Sequence, residues 1–313
     1  MGGIAVILNP HAGGNRRVIA RARPERLSRI VGEHGSVHCP DSLDALEQTI
    51  ARALEDQPDV LALCGGDGSY FRAFSVLNRL LASDPWPPIL PLPAGTINNL
   101  THAIQSRSRS PESLLGEVVH ELVHGIAHET ADCDLFCVGE GDVGYIFGIG
   151  MIVNFLRAYY ATPDPRPASA AWLVFRLAMS AAMRGALSQK IFQPFEADIV
   201  CDGERVPHRS YRMLIASSVA AIGLGFVPFY LAGKKPGQFH VLGGPAKGSR
   251  LARRLPRFYR GFPAQDPELY DNIGSELLVE FARPAYYTVN GDLLGPTMRI
   301  AVRKLRRITV IRG

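Results

Sequence analysis

Three short stretches of this chain combine glycine with amide or hydroxyl side chains. They are Asn9-Pro10-His11-Ala12-Gly13-Gly14, Gly65-Gly66-Asp67-Gly68-Ser69 and Gly95-Thr96-Ile97-Asn98-Asn99. Glycine lets backbone N–H groups approach an anion closely, and a helix starting after such a turn adds partial positive charge. One turn alone is an ordinary structural feature; three together point to a phosphate site. The candidate contacts are Asn9, Gly13, Gly14, Gly65, Gly66, Gly68, Ser69, Gly95, Thr96 and Asn98. Asp67 is the odd residue, because phosphate repels a carboxylate unless a cation lies between them. Mg²⁺ shared by Asp67 and phosphate oxygens resolves that conflict. The alternative is an aspartate that merely stabilises its turn. None of the stretches holds a Walker A Gly-Lys-Ser/Thr or a Gly-x-Gly-x-x-Gly fingerprint, which disfavours a dinucleotide oxidoreductase.

Two other patterns could carry chemistry. His120-Glu121-Leu122-Val123-His124 fits a zinc signature, with His128 as a third ligand two turns on from His120. A metzincin places its third histidine later, after a glycine turn, so a surface helix with incidental histidines is the expectation. Cys133 and Cys137 read as strand residues rather than ligands. Arg250, Arg253, Arg254, Arg257 and Arg260 interleave with Leu251, Leu255, Phe258 and Phe262. That is either a basic amphipathic segment suited to an anionic membrane or a core helix with a solvated arginine face.

The elements that must hold the turns alternate. Ile4–Leu8, 36–39, Val60–Cys64 and Ile89–Leu92 read as strands; helices are expected over about 14–33, from Ser42 onward, and after the second and third turns. Strand, glycine turn and helix in repetition argue a parallel α/β sheet with ligands at the carboxyl ends of its strands. Beyond Cys133 the reading is mainly β, with strands at 134–138, 144–150, 197–201, 211–219, 277–282, 286–290 and 307–311. One helix is expected over 168–187 and another over 249–260, where Pro256 would kink or end it. The division is an α/β domain over 1–132 and a mainly β domain over 133–313, with the last strand expected to return to the first domain. The cleft between two such domains is a usual place for a ligand.

The chain has 313 residues, 47% hydrophobic and 20% charged, an ordinary globular mix. No signal-peptide layout precedes the first strand, and five scattered cysteines suit a reducing compartment, so a cytoplasmic protein is expected. Residues 213–233 carry no charge, but their glycines and Pro228 favour a buried strand and loop over a membrane span. The net charge is +5, concentrated in two runs free of acid: eight Lys/Arg over 234–265 and six over 299–313. Such runs attract phosphate or anionic lipid. No nucleic-acid-binding motif accompanies them.

The three glycine stretches, in this order, resemble the diacylglycerol kinase catalytic domain superfamily, which includes sphingosine, ceramide and bacterial lipid kinases. Asp134-Leu135-Phe136-Cys137-Val138, Tyr145-Ile146-Phe147 and Val289-Asn290-Gly291-Asp292 match later, looser parts of the pattern. The resemblance implies an α/β nucleotide domain, a β-sandwich domain, and ATP between them. It implies Mg²⁺ supported by Asp67 and Asp134, and Asp292 as the base for a lipid hydroxyl at an anionic membrane surface; a homodimer is compatible with it. The chain departs from the family at three informative places. Gly-Thr-x-Asn-Asp ends in Asn99, and Asp-Gly-Glu reads Asn290-Gly291-Asp292. Gly-Gly-Asp-Gly-Thr ends in Ser69, which keeps the hydroxyl. Two rival readings are a NAD kinase, which shares the Gly-Gly-Asp-Gly turn, and a nucleotide-binding protein with little kinase activity.

Overall fold

The computed structural model describes residues 2–13, 15, 22–105, 110–163 and 166–312. The chain forms two compact units, residues 1–133 with 307–313, and residues 134–306.

The first unit is built on β1 (Ile4–Leu8), α1 (Ala22–Val31), β2 (Gly35–His38), α2 (Leu43–Glu55), β3 (Val60–Gly65), α3 (Asp67–Leu80), β4 (Ile89–Pro93), α4 (Asn99–Ala103) and α5 (Pro111–Val123). The sheet is parallel in the order β2-β1-β3-β4. All five residues of β1 and all six of β3 are buried, as expected of parallel strands covered on both faces. The chain's last strand returns here, Val310 lying parallel and opposite Ile89. The core joins Val6, Leu8, Ala62, Leu90 and Leu92 to Leu27 and Val31 of α1 and Leu114 and Val118 of α5. Ser42 caps α2 by accepting from the Ala45 amide, and Ser110 caps α5 with Pro111 in its first turn.

The helix expected over about 14–33 is described only from Ala22; Gly14 and residues 16–21 lie outside the described residues. The middle glycine stretch is also shorter as a turn than its composition suggests. α3 already begins at Asp67, with Gly66 as its N-cap.

The second unit is mainly β. Its elements are β5 (Thr130–Val138), β6 (Asp142–Gly144), β7 (Ile146–Gly150), α6 (Met151–Tyr160), α7 (Pro167–Ala182), α8 (Ala186–Ile191), β8 (Phe195–Cys201), β9 (Glu204–Arg205), β10 (Ser210–Tyr211), β11 (Met213–Ser217), β12 (Phe239–Gly244), α9 (Gly248–Tyr259), β13 (Tyr270–Gly274), β14 (Glu276–Val289) and β15 (Asp292–Ile311). The sheet runs β13-β12-β11-β7-β14-β15, antiparallel at each step. The separate strands expected at 277–282 and 286–290 are one strand, β14. Its register slips between Glu280 and Ala285 and again before Tyr287. Bulges of this kind bend a strand, and the two halves of β14 take different neighbours: β8 pairs with Leu277–Phe281 and β7 with Tyr287–Val289.

Other expectations are corrected here. The helix over 168–187 is two, α7 and α8, broken around Arg184 (φ +54°) and Gly185. Helix α6 and strands β12 and β13 were not expected. Gly150 (φ +69°) turns β7 into α6, and a Cβ there would lie 2.5 Å from the Phe195 ring. α9 runs through Pro256 without ending. The charge-free stretch from Met213 is a fully buried strand that leads into irregular chain. Among the described residues, no helix is long and apolar enough to cross a membrane.

Candidate functional site

The three glycine stretches meet in the first unit. Asn9, just after β1, donates from Nδ2 to Ser69 Oγ at 2.8 Å, joining the first stretch to the second. Ser69 Oγ also accepts from the Gly66 amide at 3.3 Å. A Cβ on Gly13 would lie 3.1 Å from Thr96 Oγ1, which places the first stretch beside the third. The second and third touch backbone to backbone. A Cβ on Gly66 would stand 2.7 Å from the Gly95 Cα, and one on Gly95 would stand 2.4 Å from the Gly66 Cα. Neither position has room for any side chain. Asn98 adopts the left-handed conformation (φ +56°), which asparagine tolerates. Its Oδ1 accepts from the Gly95 amide at 2.8 Å. The Gly66 and Gly95 amides thus donate to Ser69 and Asn98 within the site, and the two glycines let the stretches approach closely.

Asp67 is buried at the start of α3 and reaches across to α4. Its Oδ2 accepts from the Asn99 amide at 3.0 Å and from Asn99 Nδ2 at 3.2 Å; its Oδ1 accepts from the Leu100 amide at 3.3 Å. A carboxylate at the first amides of a helix satisfies donors that have no partner within the helix. Asp67 thus ties the second stretch to the third, and Asn99 is placed to receive it. Asn99 Oδ1 is buried without a hydrogen-bond partner.

Residues that the sequence does not single out brace this arrangement. Asn15 donates to the Asn9 carbonyl at 2.6 Å and accepts from Arg23 at 2.6 Å; Arg23, buried on α1, donates to Glu112 at 2.9 Å. Burial pushes the Glu112 carboxyl up, but its backbone hydrogen bond and Arg23 pull it below the usual range. The Tyr70 hydroxyl lies 3.3 Å from the Gly65 carbonyl and 3.4 Å from the Leu92 carbonyl, fastening the ends of β3 and β4. Burial pushes the Cys64 thiol up to about 12, so the sulfur stays protonated and unreactive. Arg23 and Glu112 are 89 residues apart, a pairing no local pattern signals. Beside Asn9 and Ser69 opens a cavity of about 230 Å³. Ile7, Leu43, Leu46 and Leu63 line it, with Asp41 and Arg72 as charged groups.

In the second unit, Asn290-Gly291 form the two-residue turn between β14 and β15, both at positive φ (+49° and +95°). This is the Asn-Gly hairpin that matches strand twist. Asn290 is buried, and its Oδ1 accepts from the Tyr145 and Ile146 amides at 3.0 and 2.9 Å. Tyr160, on α6, donates to the Gly291 carbonyl at 2.9 Å. Asp292 opens β15, half-buried and paired with Val289. Asp134 is buried in β5, and its carbonyl accepts from Ser218 Oγ at 2.5 Å.

The histidine pattern forms no metal centre. Glu121 holds His128 at 2.6 Å, His124 Nδ1 contacts the His120 carbonyl, and no group of three metal-ligating side chains occurs among the described residues. The basic runs are also changed by folding. Arg250 pairs with Asp266 and Glu268, and Arg254 with Asp266; Arg299 meets Glu280 and Arg303 meets Glu276. In the first unit, Arg307 meets Asp132 and Arg312 meets Glu129. Stretches free of acid in sequence are thus partly neutralised by acids from neighbouring elements.

The chain spans 99% of its length on a solved diacylglycerol kinase from Bacillus anthracis str. Sterne, with a TM-score of 0.65, 13% identity and 97% of that chain covered. Two further structures from the same organism give TM-scores of 0.71 and 0.68 at the same identity and coverage. At this identity the likeness is one of fold. Among curated proteins, none matches the chain. Residues 3–131 match the family described as the diacylglycerol kinase catalytic domain, a match that contains all three glycine stretches. The stretch that gathers Asn9, Asp67 and Asn99 is thus similar to the diacylglycerol kinase catalytic domain family, and the chain shares the fold of these solved structures.

Proposed function

We propose that the chain is an ATP- and Mg-dependent lipid kinase that phosphorylates a hydroxyl of a diacylglycerol-like or related lipid. One observation carries the reading: the side-chain-free contact of Gly66 with Gly95, locked by Asp67 across the starts of α3 and α4. The start of α3 meeting the turn after β4 without side chains between them makes a shelf that phosphate oxygens can approach. The adjoining cavity, apolar with a few polar groups, suits a nucleotide base.

The residues fit Mg²⁺ in one manner only. No all-protein cluster exists among the described residues, so the ion would be carried by phosphate oxygens and water with Asp67, and Asp134 as the second candidate. That is the usual habit of Mg²⁺ beside phosphates. When bound, Mg²⁺ supplies neutralisation of phosphate charge. The chain's own residues hold the phosphates and aim Asp67. Asp292 takes the proton from the acceptor hydroxyl, which requires approach to about 2.6–3.2 Å or through one water. In-line transfer needs positioning and charge neutralisation more than covalent chemistry.

A second reading is a nucleotide-binding protein with little turnover, favoured by the use of Asp67 lone pairs by Asn99. The deciding experiment incubates the purified chain with γ-labelled ATP, Mg²⁺ and extracted lipids, with NAD as a competing acceptor. Label in a lipid supports the lipid kinase. Label in NAD supports a NAD kinase. ATP binding without transfer to either leaves the binding protein.

A further inference from the structure

Helix α7 is apolar on both faces. Ala170, Leu173, Leu177 and Ala181 are buried against the second unit. The outward stripe carries Trp172 (60% exposed), Phe175 (53%) and Met179 (46%), and Met183 (71%) follows at the C-cap. Their spacing of three and four residues sets them along one line of the helix. The Trp172 and Phe175 rings are stacked with centroids 5.4 Å apart, a plate of aromatic surface turned to solvent. A helix apolar all round is normally covered all round, and large exposed apolar patches mark interaction sites.

The surroundings favour one occupant. From Arg166 to Lys190 there are four basic residues and no Asp or Glu. Arg176 and Arg184 are exposed beside the stripe. α9 packs against α7 and exposes Arg253, Tyr259, Arg260 and, just beyond, Phe262. Cores of protein interfaces are depleted of charge, whereas aromatic and apolar groups ringed by arginine suit an anionic headgroup layer. With 16 residues, α7 is about 24 Å long, short of the ~30 Å hydrocarbon layer, so it can lie along a bilayer but not cross one. We propose that the Trp172–Phe175–Met179–Met183 face of α7 docks on an anionic bilayer, with the rings at headgroup depth. This surface needs no nucleotide and is independent of the phosphoryl-transfer reading.

The chain has two tryptophans, Trp86 and Trp172, so the full-length Trp86→Phe variant reports on Trp172 alone. It is mixed, without ATP, with vesicles of phosphatidylcholine or of phosphatidylcholine with phosphatidylglycerol. The expected result is a blue shift of emission, quenching by acyl-brominated lipid, and co-sedimentation with the anionic vesicles. W172S/F175S weakens that binding by on the order of tenfold or more, and R176Q/R184Q removes the preference for anionic over neutral vesicles. All four side chains are exposed, and an unchanged melting temperature verifies the fold. If Trp86→Phe does not fold, the difference in quenching between the parent and Trp172→Phe gives the same answer. Unshifted, unquenched Trp172 emission overturns the proposal, as does a Trp172-dependent dimer in sedimentation equilibrium. Failure of transfer to detergent-dispersed lipid bears only on the kinase reading.

Discussion

Asn99 gives both its backbone N–H and its side-chain Nδ2–H to the same oxygen of Asp67, at 3.0 and 3.2 Å. The family pattern has an aspartate where Asn99 stands, which at this distance would set two carboxylates against each other. Here the uncharged amide donates to Asp67 where a second carboxylate would repel it. Asn99→Asp should cost about 1–3 kcal/mol in chelator, since like charges disfavour joint ionisation. Mg²⁺ should restore the loss, while the parent's melting temperature moves less. Melting curves with chelator and with Mg²⁺ check this; equal Mg²⁺ responses would remove the pair from metal chemistry. Asp67→Asn should lower transfer by roughly 10²–10³-fold. Asp67 also accepts from Asn99 and Leu100 through both oxygens, and Asp67→Asn turns one of these into a donor facing donors, so the same change should cost about 1–3 kcal/mol of stability.

Asn290 is a bridge rather than an active group. Its Oδ1 accepts two buried amides, from Tyr145 and Ile146. Asn290→Ala removes this acceptor from both amides and should destabilise by roughly 2–4 kcal/mol. Asn290→Asp keeps the acceptor and removes an Nδ2 that is buried without a partner. It should retain near-parental stability at neutral pH. Chemical denaturation of the two variants separates them; equal losses would show that the acceptor is not what matters.

Asp292 follows directly on that bridge, so its position is set by the hairpin. Asp292→Ala should lower lipid turnover by about 10²–10⁴-fold with ATP affinity little changed. Asp292→Glu should retain substantial activity. Turnover and nucleotide titration, measured on the same preparations, test both halves. Parental turnover by Asp292→Ala would end the base assignment.

Acid sensitivity should trace in part to Asp266. Burial pushes its carboxyl up, but Arg250 at 2.7 Å, the Glu268 amide and Arg254 hold it below the usual range. A lowered folded value means that the unfolded chain protonates first as pH falls. The stability is therefore present above the unfolded value of about 3.9 and is lost as pH drops through the folded one. Asp266→Asn should be less stable than the parent at pH 7, with the gap closing toward about pH 3. A gap that stays constant with pH would contradict this.

The glycine stretches and the alternation of strand and helix were legible because both are local. Glycine at a turn and a buried run such as Val60–Cys64 need no distant partner to be recognised. What makes the stretches into a site was not legible. Asn15 to Arg23 to Glu112, and Asp67 to Asn99, join elements through side chains far apart in sequence. The basic runs misled for the same reason: the acids that meet Arg299 and Arg303 lie on β14, and those that meet Arg250 come after the run has ended. Separate strands were read where β14 is continuous, because its bulges interrupt the alternation that marks a strand. The stripe on α7 read as ordinary helix, since sequence does not say which of two apolar faces stays uncovered.

The 20 residues of β15 start at the Asn290-Gly291 hairpin and finish beside β4, where Val310 and Ile311 are fully buried. Ile311 is part of the same core as Val6, Leu8 and Leu90. During synthesis the N-terminal α/β unit emerges first, yet its interior lacks these side chains until the far end of the chain has left the ribosome. Domains generally fold as they are made, from the N-terminus onward. This one must wait with an open sheet edge at β4, and chaperone holding or a slow ribosomal exit should matter more to its yield than to that of a unit contiguous in sequence.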